Sequence, residues 1–132
     1  MQIGVSIFAR HPNLPPSDVS AALQIHDHVT EVMIGETPEW GYAEADDSSW
    51  SHGFETDRSS LDRALADLLV RLEERQHALR GLVQSGWTFK VSVLVVLLGP
   101  EGLDLTLDPA TTRIAASLSL PIVISVEAHH PR

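Results

Sequence analysis

Histidines and a run of carboxylates are the residues of this chain with chemistry in reach. His26-Asp27-His28 sets two imidazoles two residues apart, and on an extended segment side chains at that spacing point the same way. Two imidazoles and a carboxylate make a partial shell for zinc or another transition metal. The bland alternative is a polar helix-to-strand connection. His129 and His130 could add a ligand, although positions so near the end of the sequence tend to fray. His52 lies close in sequence to Asp47, Ser51 and Asp57, the ingredients of acid–base chemistry. Glu44, Asp46, Asp47 and Ser48 offer oxygens to calcium, but the regular spacing and glycine of a calcium loop are missing. No G-x-S-x-G elbow, phosphate-cradling glycine loop or H-E-x-x-H motif occurs, and no cysteine. The expectation is therefore a non-enzymatic domain without metal or cofactor. The alternative is a small-molecule or metal-binding domain, hydrolytic in its strongest form, that uses His26, His28 and His52.

The stretch EWGYAEADDSSWSHGFETD (39–57) combines Trp40, Tyr42, Trp50 and Phe54 with six carboxylates and no lysine or arginine. Residues 27–57 as a whole hold nine acids and no Lys or Arg; the chain has 18 acids and 9 bases, so the other nine acids are balanced and the net charge of -9 falls in this segment. Phosphates would be repelled there, which argues against nucleic acid. A basic protein would be attracted. Trp and Tyr dominate interface hot spots. Trp50 and Phe54 fit a sheet face in the core, whereas Trp40 and Tyr42 flank Gly41 among acids and fit a contact surface. The expected partner-binding residues are Trp40, Tyr42, Glu44, Asp46 and Asp47. An immunity- or antitoxin-like inhibitor is one concrete version, its carboxylates mimicking phosphate to block a cationic active site.

These residues need a scaffold, and 132 residues suffice for one domain spanning 1–132. A composition 43% hydrophobic and 20% charged is that of a globular chain rather than a disordered one. The longest apolar run, Val93 to Leu98, is strand-sized and far short of the roughly 18 residues of a membrane span. The opening MQIGVSIFAR lacks the basic start and apolar core of a signal peptide, so a cytoplasmic location is expected. Residues 2–9 alternate as a strand, and HPNLPPSD opens a short helix over Ser17–Leu23. Strands are predicted over 28–34 and 49–55. A single long helix follows, with Ser59 and Asp62 as its capping box, Leu61, Leu65, Leu68, Leu69, Leu72, Leu79 and Val83 as its stripe, and Gly86 as its stop. A strand over 87–98 and a sharply alternating LDLTL strand (103–107) come next. Asp108-Pro109 starts a helix to about Leu118, and IVISVEA ends the order β-α-β-β-α-β-β-α-β. That pattern is an α+β two-layer sandwich, a largely antiparallel sheet with helices on one face. Leu94, Val96 and Leu98 are left pointing away from the helices, to be covered by a second copy in a homodimer or by the acidic connection folding back.

The opening strand, "PPSDVSAALQI", a strand ending Gly35-Glu36, the Trp50 strand, "GWTFKVSV" and "PATTRIAASLSL" together resemble the bacterial domain of unknown function 4279. The resemblance runs from about Met1 to Glu127. It implies no established activity and brings no catalytic residues across.

Overall fold

The computed structural model describes residues 1–100 and 102–128. His129 and His130, considered above as metal ligands, lie outside the described residues. The elements are β1 (Gln2–His11), α1 (Ser17–Leu23), β2 (Val29–Val32), β3 (Ser48–Thr56), α2 (Leu61–Glu73), α3 (Gln76–Gln84), β4 (Thr88–Leu97), α4 (Pro109–Ser117) and β5 (Ile122–Ala128). They form an α+β fold around one five-stranded sheet of order β2-β3-β1-β4-β5. All neighbours run antiparallel except β4 and β5.

The alternation in the strands decides which face the helices take. Ile3, Val5, Ile7 and Ala9 of β1, Trp50 of β3, and Phe89, Val91, Val93 and Val95 of β4 are buried with the leucines of α2 and α3. Their alternates Gln2, Arg10, Thr88, Lys90 and Leu94 are exposed. Each fully buried Leu, Ile or Val stabilises the fold by about 1.5–3 kcal/mol relative to exposure. One face is therefore covered, and the other is open.

The long helix is in fact two. Arg75 leaves helical backbone at φ −116°, ψ 27°, separating α2 from α3. Five consecutive polar residues, Glu73 to His77, give the stripe nothing to bury at the turn between Leu72 and Leu79. The break shifts the phase: α3 buries Leu79 and Leu82, and Val83 is 53% exposed. The capping box is also absent. The N-cap Ser60 makes no side-chain cap bond, and in the turn before it Asp57 accepts from Ser59 Oγ at 2.7 Å and Ser60 N–H at 2.9 Å; these bonds hold its carboxyl below the ordinary range. Asp62 instead accepts from Asp108 N–H at 2.8 Å and Thr111 Oγ1 at 3.2 Å, tying α2 to α4. The Asp108 cap itself is as expected, accepting from Ala110 N–H at 2.8 Å ahead of Pro109.

Residues 103–107 form no strand. Because β5 runs parallel to β4, the chain must cross over between them, and LDLTL is part of that crossover. Its alternation reflects Leu105 and Leu107 packing on the core without a sheet partner.

His11 closes the inward row of β1 and is 7% exposed. Its Nε2–H donates to the Ser85 carbonyl at 2.7 Å, and its Nδ1 accepts the Asn13 and Leu14 N–H groups at 3.0 and 2.9 Å. One ring thus joins the end of β1, the following turn and the end of α3. That end is a Schellman motif, in which Gly86 N–H donates to Val83 and Trp87 N–H to Leu82, each at 3.0 Å. Gly86 holds φ +104°, and a Cβ there would stand 3.0 Å from His11 Nε2. His11→Ala is expected to lower unfolding free energy by about 2–3 kcal/mol, since it strands two backbone donors and opens space beside Trp87. Urea unfolding checks this, with a lower midpoint and an unchanged slope.

Candidate functional site

The acidic connection between β2 and β3 is a closed loop with a neck. Gly35 N–H donates to Ala45 O at 2.9 Å and Ala45 N–H to Glu36 O at 2.7 Å. Gly35 takes φ +87°, as the third position of the turn from Met33 to Glu36 requires. Ser48 Oγ accepts the Ile34 N–H at 3.3 Å below the neck. At the tip, a turn closed by Gly41 N–H on Pro38 O at 2.9 Å presents Glu39 and Trp40. This is the compact, closed-ended geometry of an Ω-type surface loop.

Trp40 is 68% exposed and Tyr42 fully exposed. Trp50, in contrast, is sealed, its Nε1–H donating to Ser20 Oγ at 2.9 Å, and Phe54 packs against the core. Glu44 and Asp46 are exposed; Asp47 pairs with Arg10 at 3.4 Å. Asp27, at the other end of the acidic segment, pairs with Arg71 of α2 at 3.4 Å. Arginines from outside the segment thus engage two of its nine acids. Glu36, Glu39, Glu44 and Asp46 remain without an ion pair among the described residues.

The histidines do not converge as a trio. His28 has φ +51°, so the chain bends between Asp27 and β2, and the extended geometry that would align His26 with His28 is absent. His26 lines a shallow cleft with Ser20 and Glu31. His28 instead meets His52, their ring centroids 6.4 Å apart. Among the described residues no group of three or more His, Cys, Asp or Glu is placed to hold a metal ion. The sequence neighbours of His52 are also elsewhere: Asp47 is with Arg10, Asp57 is bonded to Ser59 and Ser60 in the turn before α2, and Ser51 lies on the opposite face.

His52 has a different partner. It is 3% exposed, and its Nδ1 stands 2.6 Å from the Asp27 carbonyl. A carbonyl only accepts, so Nδ1 carries a proton, and in the neutral ring Nε2 is the acceptor. Asp27, His28, His52, Phe54, Asp67 and Arg71 line a cleft of about 400 Å³. Sequence reasoning missed Asp67 and Arg71, which line it from α2, Arg71 lying 44 residues from Asp27 along the chain. A second cavity of about 470 Å³ lies between α3, the start of β4 and the turn after α4, lined by Leu79, Arg80, Val83, Trp87 and Leu118. Trp87 Nε1 is buried there without a partner and without accessible surface, so a ligand could not reach it.

The five-stranded sheet with its helices on one face defines an α+β domain, and no helix among the described residues is long and apolar enough to cross a membrane. The chain belongs to the family described as "Domain of unknown function (DUF4279)", whose sequence model matches residues 1–129. Comparison with curated proteins and with solved structures finds no match.

The Asp27 carboxyl is held below its ordinary 3.8 by its own backbone N–H first, then by His52 and Arg71. A carboxylate lowered on folding stabilises the protein above its unfolded value, and that contribution disappears as pH falls through the folded one. Arg71→Met should therefore move the Asp27 titration up toward 3.8 in a carboxyl carbon-13 NMR titration. An unchanged titration would show that Arg71 does not act on Asp27.

Proposed function

We propose that this protein is a non-enzymatic interaction domain that presents its 36–47 loop to a basic protein. The observation that carries the reading is the exposure of Trp40 (68%) and Tyr42 (fully exposed) in a loop where no described cation engages Glu36, Glu39, Glu44 or Asp46 and only Asp47 is paired, with Arg10. Large aromatic side chains left in water are costly, and such residues supply most of the energy when an interface forms. Surrounding carboxylates speed encounter with a cationic partner. The neck hydrogen bonds hold the loop in one shape, which lowers the ordering cost of binding. An inhibitor of the immunity or antitoxin kind, covering a cationic active site, is the most specific form of this reading.

Trp50 and Trp87 are sealed, so Trp40 is the tryptophan open to aqueous quenchers. Titrating basic proteins should protect Trp40 from acrylamide, with affinity that falls as salt rises. Trp40→Ala with Tyr42→Ala should weaken binding by about tenfold or more. Affinity indifferent to both salt and the two substitutions would refute the reading.

A second copy of the chain is the occupant we propose for the open sheet face. The acidic loop does not cover Leu94, which is 37% exposed, and Val96 beside it is half-buried. Arg10 and Lys90 stand 5.4 and 5.5 Å from the Phe8 ring at one end of this face, while Glu55 opposes Gly4 toward the other. Small residues, Gly4, Ser6, Ser51, Gly53 and Ser92, lie between them. Two such faces stacked with strands reversed would set cations against carboxylates and let the sheets approach closely. Val96→Asp should convert a dimer to monomer by light scattering; a wild-type monomer at high concentration would exclude the dimer.

A further inference from the structure

The His52 cleft is a built site that the loop reading does not use. Its imidazole is 3% exposed, yet only Nδ1 is engaged, by the Asp27 carbonyl at 2.6 Å. Among the described residues, the buried side-chain nitrogens without a partner are Arg75 Nε and Trp87 Nε1. Nε2 of His52 has no hydrogen-bond partner among the described residues, and the His52 side chain lines the cleft. A strained residue produces this arrangement. His28 at φ +51° lets its own carbonyl accept the Gly53 N–H at 3.1 Å while the preceding carbonyl turns onto His52. Left-handed backbone is strained for a non-glycine residue, and such strain gathers at binding sites.

The rest of the lining says what chemistry would fill the cleft. Nε2 offers a lone pair and therefore asks for an N–H or O–H donor. Asp27 and Asp67 contribute two negative charges, Arg71 contributes one positive charge, and Arg71 is already paired with Asp27 at 3.4 Å. The excess is negative, on Asp67. Phe54 and Leu68 supply an apolar wall and an aromatic ring. Three nitrogen or carboxylate ligands do not converge on a point, which disfavours a metal ion among the described residues.

We propose that this cleft binds a cationic amine, an ammonium or guanidinium head on a short apolar body, with the head donating to His52 Nε2 and its charge met by Asp67. A free alkylamine and a lysine or arginine side chain of a protein share that chemistry. The site stands apart from the 36–47 loop and does not depend on its role.

Titration of the full chain with butylamine and butylguanidine, followed by imidazole nitrogen-15 NMR, tests the proposal. Free His52 should show a protonated Nδ1 and a bare Nε2, and millimolar amine should shift Nε2. Asp67→Asn, an exposed position on α2 that leaves the core intact, should weaken binding roughly two- to fivefold, whereas Glu74→Gln, exposed and outside the cleft lining, should leave it unchanged. A lysine-containing peptide run in parallel separates the sources: a shift with the free amines marks a small-molecule site, and a shift with the peptide alone marks a side-chain receptor. No shift at His52 with amine or peptide, or a shift with acetate in place of amine, overturns the proposal.

Discussion

The inward row of β1 organises the molecule. Ile3, Val5, Ile7, Ala9 and His11 face the helices from the central strand, which bonds β3 on one side and β4 on the other. A slip of one residue would turn that whole row out to water and bring Gln2, Ser6 and Arg10 into the core. The register of β3 and β4, and hence where Trp50, His52 and Phe89 point, is inherited from it. His11 extends the constraint beyond the sheet, because one ring binds the turn before α1 and the end of α3.

Both candidate sites hang on that frame in different ways. The 36–47 loop is a local object, closed by hydrogen bonds between residues 35–36 and 45, with its tip projecting into water. Its chemistry is charge and aromatic area, which need no buried precision. The His52 cleft is the reverse. It depends on β3 holding an imidazole in the interior, on a left-handed residue aiming a carbonyl at that ring, and on α2 bringing Asp67 and Arg71 alongside. The two proposed roles, steering by a charged loop and capture in a cleft, rest on separate parts of one small domain.

The two arginine pairs reshape the acidic surface. Arg10 and Arg71 come from β1 and α2, and each reaches an acid in the 27–57 segment. Both pairs are exposed, so they add little stability. Of the seven acids of that segment left without an ion pair among the described residues, Glu36, Glu39, Glu44 and Asp46 lie in the loop that carries the two open aromatic rings.

Local pattern carried the architecture. Alternation marked β1 and the first half of β4, Asp108-Pro109 and Gly86 marked helix ends, and the segregation of acids was countable from composition along the chain. The exposure of Trp40 and the burial of Trp50 followed from their neighbours, glycine and acids for one, an alternating strand for the other. Tertiary packing settled the rest. Period alone could not show that five polar residues would break one helix into two, because the break depends on what the core can accept between Leu72 and Leu79. Nor could alternation separate LDLTL from a strand, since leucines at alternate positions pack on a core with or without a sheet neighbour. His52 drew its partner from a backbone carbonyl and its surroundings from α2, and backbone atoms carry no sequence signature. Short-range rules govern φ, ψ and side-chain period; which distant groups meet across a cleft is decided only when the elements pack.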